Sequence, residues 1–182
     1  MKKIIIIIAV VVIAILGFIG YSGLFTSVAI TEEQIGPYTM VVKKHMGSYY
    51  KTKATFEEVE AMLKKNIDTK KLKGVGFYYD DPAKVKEDQL RSECGFIIDK
   101  TDVDKIGKLP DGIQMREFNK TLCAVGEFPL RSFLSYMIGP ARVYPKFLEY
   151  GKGKQFVADY SLEIYDSAAG KIQYCMPLKE QR

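Results

Sequence analysis

The feature that most constrains this chain is that its second half repeats the first. A glycine-centred stretch, Val42-Lys-Lys-His-Met-Gly47-Ser-Tyr49, has a counterpart in Leu122-Cys-Ala-Val-Gly126-Glu-Phe128. Each is followed by a helix-like segment and then by a strand-like segment ending in Tyr-Asp. These are Phe77-Tyr-Tyr-Asp80 in the first half and Glu163-Ile-Tyr-Asp166 in the second. Each half closes on a short strand-like segment containing a cysteine, Cys94 or Cys175. One supersecondary unit written twice predicts an α+β fold of duplicated strand–helix–strand–strand modules with pseudo-twofold symmetry. The groove between the modules is the natural place for a ligand.

Ahead of the repeat lies one accessory segment. Lys2 and Lys3 open onto residues 4–25, which hold 22 residues without a charge. At about 1.5 Å per residue this run covers a hydrocarbon core of about 30 Å. A secretory leader is the competing reading, but its apolar region is normally about 7–15 residues, and no small-residue cleavage site follows Leu16. An uncleaved transmembrane helix and a single-pass protein are therefore expected. The first charges after the run are acidic, Glu32 and Glu33. The positive-inside tendency then keeps the N-terminus cytosolic and favours an extracytoplasmic domain. Residues 26–37, with Gly36-Pro37 and little to bury, read as a juxtamembrane linker. The domain is expected over 38–182, its repeats at about 38–98 and 113–178.

Setting aside Lys2 and Lys3, the net charge falls from +5 to +3, and the remaining lysines are scattered apart from Lys64-Lys65 and Lys70, Lys71 and Lys73. That group reads as a solvated helix end, and no nucleic-acid partner is expected. Cys94, Cys123 and Cys175 lack Cys-x-x-Cys spacing, so neither a metal site nor any other cofactor is expected. An odd count also rules out a complete disulfide framework. His45 is the single histidine, which makes a Ser-His-Asp triad a poor fit.

Along the chain, 38–50 reads as a strand. Thr55 with Glu58 fits a capping box opening a helix that ends near Asn66. Residues 74–80 and 90–98 read as strands, 99–111 as a polar connector, and 113–118 and 121–128 as strands. Residues 131–150 have helical character that Gly139-Pro140 breaks, Pro145 either kinking the helix or starting a fresh one, with Gly151 and Gly153 ending it. Residues 158–165 and 171–178 read as the closing strands.

Period-two alternation in Leu162-Glu163-Ile164-Tyr165 puts Glu163 and Tyr165 on one face. Superposing Tyr165-Asp166 on Tyr79-Asp80 pairs Glu163 with Phe77 and Tyr165 with Tyr79. The groove should then be walled by Phe77, Tyr79, Glu163 and Tyr165, with Tyr49 and Tyr136 lining it from the flanking strand and helix. A carboxylate among rings can hold a cationic ligand. Alternatively, a raised pKa lets it act as a general acid or base. The plainer alternative is an edge-strand glutamate in water beside an ordinary aromatic core.

The segments Tyr21-Ser-Gly-Leu24, His45-Met-Gly47, Tyr78-Tyr-Asp-Asp-Pro82, Cys94-Gly95, Arg142-Val-Tyr-Pro145, Leu162-Glu-Ile-Tyr165 and Cys175-Met-Pro-Leu178 resemble GyrI-like proteins, also called AraC-type effector-binding domains. The resemblance is nearest to the membrane-anchored branch, which includes an animal reticulophagy receptor of the endoplasmic reticulum. It implies a central cleft for amphiphilic, often cationic molecules, with a glutamate at the position of Glu163 as charge partner. It also implies an alternative: some relatives hydrolyse cyclopropane-bearing electrophiles, with a glutamate, here Glu163, activating water. A third reading is a membrane-tethered protein-interaction module. No helix-turn-helix segment accompanies the motifs, so a regulator role does not carry over. The sequence runs four residues past Leu178, too few for the long acidic tail through which the receptor engages autophagy proteins.

Overall fold

A computed structural model describes residues 1–152, 156 and 160–178. Gly153 and the expected start of the penultimate strand at Ala158 lie outside the described residues, as do 179–182. Eight strands form one antiparallel sheet: β1 (Ile30–Ile35), β2 (Tyr38–Met46), β3 (Lys73–Tyr78), β4 (Arg91–Ile98), β5 (Ile113–Phe118), β6 (Thr121–Pro129), β7 (Ser161–Asp166) and β8 (Lys171–Pro177). Among the described residues four α-helices accompany them: α1 (Lys2–Ile19), α2 (Lys53–Leu63), α3 (Lys100–Ile106) and α4 (Ser135–Tyr150). The spatial order is β1-β6-β8-β7-β3-β4-β2-β5.

This order forces the sheet to curl. β1 and β2 stand six strands apart, about 29 Å if the sheet were flat. Only Gly36 and Pro37 join them, and the three Cα steps from Ile35 to Tyr38 span at most about 11 Å. Asn119 and Lys120 make the same jump between β5 and β6. The ends of the sheet are therefore drawn together around one face. Ile35 of β1 and Phe118 of β5 share a buried cluster there with Met40, Phe77, Leu162 and Cys175. On the other face α4 covers Ala124, Phe128, Ile172 and Tyr174, while α2 lies over Val41 and Ile98. Between these two helical covers run the central strands β7 and β3.

Four local expectations are corrected. The presumed linker is largely strand: β1 pairs with β6, Ile30 opposite Gly126 and Ile35 opposite Thr121. Its Thr31-Glu32-Glu33-Gln34 core is polar because it is an edge strand, and only Ile35 is fully buried. The 99–111 connector contains α3, whose one fully buried side chain is Ile106, too little to show a period. Thr55 does not cap α2; the helix starts at Lys53, and Thr55 instead hydrogen-bonds His45 Nδ1 at 3.0 Å. α4 runs unbroken through Pro140 and Pro145. The carbonyls those prolines leave without an N–H belong to Tyr136 and Ala141, both exposed residues.

α1 is not a free tether. Beyond Ile19 it continues as a wider turn, Gly20–Leu24, in which Ser22 and Gly23 are buried against the domain. Ser135 Oγ donates to the Ser22 carbonyl (3.2 Å), and Ser22 Oγ pairs with Ser132 Oγ (2.7 Å). Gly23, at φ 109°, lies flat on Phe128, whose Cζ would be 2.4 Å from any Cβ at that position.

Candidate functional site

Glu163 sits at the centre of the sheet, on the face that carries α2 and α4. Register fixes its row: Gly76 of β3 stands opposite it on one side and Tyr174 of β8 on the other, with Cys94 beyond Gly76. Gly76 is required there because a Cβ would come within 2.8 Å of the Tyr78 ring, which folds back across this position. In α4, Gly139 lets the helix settle on Tyr174, whose hydroxyl would be 2.2 Å from a Cβ.

Glu163 is 6% exposed. Tyr144 Oη donates to Oε1 (2.7 Å) and Tyr165 Oη donates to Oε2 (2.8 Å). Each tyrosine has a further hydroxyl partner, Ser161 for Tyr144 (2.8 Å) and Tyr78 for Tyr165 (2.7 Å). With both tyrosines donating to the carboxylate, those partners donate to the tyrosines, so two hydroxyl chains converge on one acid. Burial raises its pKa to about 7, against the lowering effect of the two tyrosine hydrogen bonds. Burial also drives Tyr78, Tyr144 and Tyr165 well above the ordinary phenol value, with the nearby carboxylate adding to the rise, so these hydroxyls stay protonated donors. Among the described residues no basic side chain pairs with Glu163. The rings of Tyr78, Tyr144 and Tyr165 remain partly accessible, so the acid lies beneath an aromatic surface rather than in a sealed core. The Tyr165 ring meets Phe56 of α2 at 5.7 Å and Tyr136 of α4 at 5.6 Å, bridging the two helices.

Of the residues expected to line the groove, Glu163, Tyr165 and Tyr136 come together. Tyr49 stands one ring further out, edge-on to Tyr78 at 4.8 Å, its hydroxyl bonded to the backbone at Asp80 and Arg91. Phe77 and Tyr79 do not wall the groove. Phe77 stands opposite Leu162, on the reverse face. There Arg116 lies 3.8 Å over its ring and donates to Tyr79 Oη (2.5 Å) and to Glu93. Matching the two Tyr-Asp pairs was off by one residue in strand pairing, and a slip of one reverses every side chain. The residue on the shared face is Tyr78. Sequence reasoning also missed Tyr144 and Tyr174. Tyr174 was open to the same alternation that located Glu163, since it stands directly opposite in β8. Tyr144 lay within the Arg142-Val-Tyr-Pro145 motif, but the expected helix break hid its face.

A curled antiparallel sheet with two helices flanking a tyrosine-held acid defines an α+β domain. The chain belongs to the GyrI-like family: the family described as GyrI-like small molecule binding domain matches residues 29–179. Testis-expressed protein 264 of Homo sapiens is 29% identical over 177 residues, covering 93% of this chain and 54% of that protein. The Mus musculus homolog is 28% identical over 172 residues, covering 90% and 53%. The chain thus spans about half the length of the curated relatives it matches. Among solved structures, the EcmrR–DNA complex has a TM-score of 0.62 at 14% identity, over 99% of this chain and 69% of that one. SAV2435 bound to tetraphenylphosphonium has a TM-score of 0.56 at 14% identity, over 84% and 94%. At such identities these are likenesses of fold.

Proposed function

We propose that this chain is a membrane-anchored receptor domain that takes an amphiphilic, cationic small molecule between α2 and α4, with Glu163 as its charge partner. One observation carries the reading: a buried carboxyl group held, among the described residues, only by hydroxyl donors. Removing an acid from water without a cation is costly, and such a group is a poor structural choice unless a ligand completes the pair. Tyr78, Tyr144, Tyr165 and Tyr136 offer ring faces suited to a delocalised cation. The family description and the tetraphenylphosphonium-bound SAV2435 support this class of ligand.

The test is a titration of the full chain in detergent micelles with tetraphenylphosphonium at several pH values. Protons compete with the cation for Glu163, so affinity should rise about tenfold per pH unit up to pH about 7 and level off above it. Glu163→Gln should weaken binding and flatten this profile. Equal, pH-independent affinity in that variant would sink the proposal.

The same carboxyl, at a pKa of about 7, is also suited to general acid–base work, which keeps hydrolysis of a strained electrophile as a second reading. Turnover of a cyclopropane-bearing substrate, lost in Glu163→Gln, would favour it. For topology, α1 and its flanking charges favour an N-terminus in the cytosol and a domain outside it. Protease access in sealed vesicles tests that arrangement.

A further inference from the structure

The anchor and the site share α4. Apolar α1 continues through Leu24 as a 23-residue span of high mean hydropathy, about 34 Å long. Phe18 lies about 24 Å along it from Lys2, short of a hydrocarbon core of about 30 Å. With Lys2 and Lys3 at one surface, Phe18 is still within the apolar layer, and any tilt takes it deeper. The Phe18 ring is 6.3 Å from that of Phe133, in the turn that opens α4. That turn is fixed to the anchor by the serine contacts at Ser22 and by Arg131 Nη1, which donates to the Tyr21 carbonyl (3.2 Å). Phe133 is 68% exposed and Met137 53%, one turn apart. Arg142 Nη2 holds the Thr26 carbonyl (3.1 Å), so a second arginine stands at this level, suited to lipid phosphates. Tyr136 in turn touches Tyr165, which holds Glu163.

We infer that the exposed start of α4, from Phe133 to Met137, is set into the membrane interface beside α1, so that the site at Glu163 draws its ligand from the bilayer. This rests on the anchored, cation-binding reading above and names the ligand class more narrowly: a single-chain amphiphile with a cationic head, resident in the membrane. Its head would pass Tyr136 to reach Glu163 while its chain stays in the bilayer.

The chain has no tryptophan, so single reporters are available. Phe133→Trp and, separately, Leu148→Trp (76% exposed, about four turns further along) are reconstituted in phosphatidylcholine vesicles brominated on the acyl chains. Strong quenching at 133 with little at 148 is expected; equal or absent quenching at 133 overturns the placement, whatever the ligand result. Entry is tested with the double variant Phe133→Asp, Met137→Asp. Loading of hexadecyltrimethylammonium from vesicles should slow roughly tenfold, while loading of water-borne benzyltrimethylammonium is unchanged. Equal rates for the long-chain cation would overturn the bilayer route. If neither cation binds the unmodified chain, the charge-partner reading fails and the bilayer route with it, while the quenching result still decides the surface.

Discussion

A glutamate that keeps its proton up to about pH 7 when folded, and releases it near 4.5 when free, leaves a signature in stability. Between those values the native state binds more protons than the unfolded chain, so the contribution of Glu163 to stability falls as pH rises. Below about 4.5 it carries no penalty; above about 7 the penalty is complete, about 3 kcal/mol. Glu163→Gln should therefore gain on the unmodified protein steadily across that window, measured as the difference in urea midpoints at a series of pH values. A flat difference would mean that the acid is solvated. Alternation alone put Glu163 beside Tyr165, because period two is a local property of β7. Alternation could not choose between Tyr78 and Tyr79, because the choice depends on pairing with a strand about 87 residues away, and pairing is set by the whole sheet.

At the level of elements, α1 and the domain meet in a fitted joint. Gly23→Ala would place a methyl group against Phe128 and force a side chain into a backbone conformation that L residues avoid. Strain and overpacking together should cost about 2–4 kcal/mol. Limited proteolysis between residues 20 and 30, slow in the unmodified protein, should become rapid in this variant. The apolar run announced α1, since 22 uncharged residues have few other uses. The joint was not legible: Ser22, Ser132 and Ser135 are ordinary polar residues in sequence and meet only because α4 is delivered to the end of α1. β1 escaped notice for a related reason, since an edge strand with polar flanks gives little hydrophobic pattern, and β6 had to be in place to identify it.

For the whole molecule, the two short jumps across the curl mean that each half completes the other. β1 finds its partner in β6, and β5 finds its partner in β2, while β3 and β7 join the halves at the centre. Outside α1, fragments 1–110 and 111–182 should each be unstructured alone and should recover the native circular dichroism signal only when co-expressed. A first fragment that folds by itself would contradict this dependence. During synthesis the same wiring imposes a wait. α1 is complete as soon as it leaves the ribosome, yet Ile30 stays without a neighbour until Gly126 has been made. Throughout that interval the growing chain carries raw strand edges, a state that favours aggregation. The charged, scarcely apolar make-up of β1 then has a second use: it keeps the waiting edge from sticking to another nascent copy.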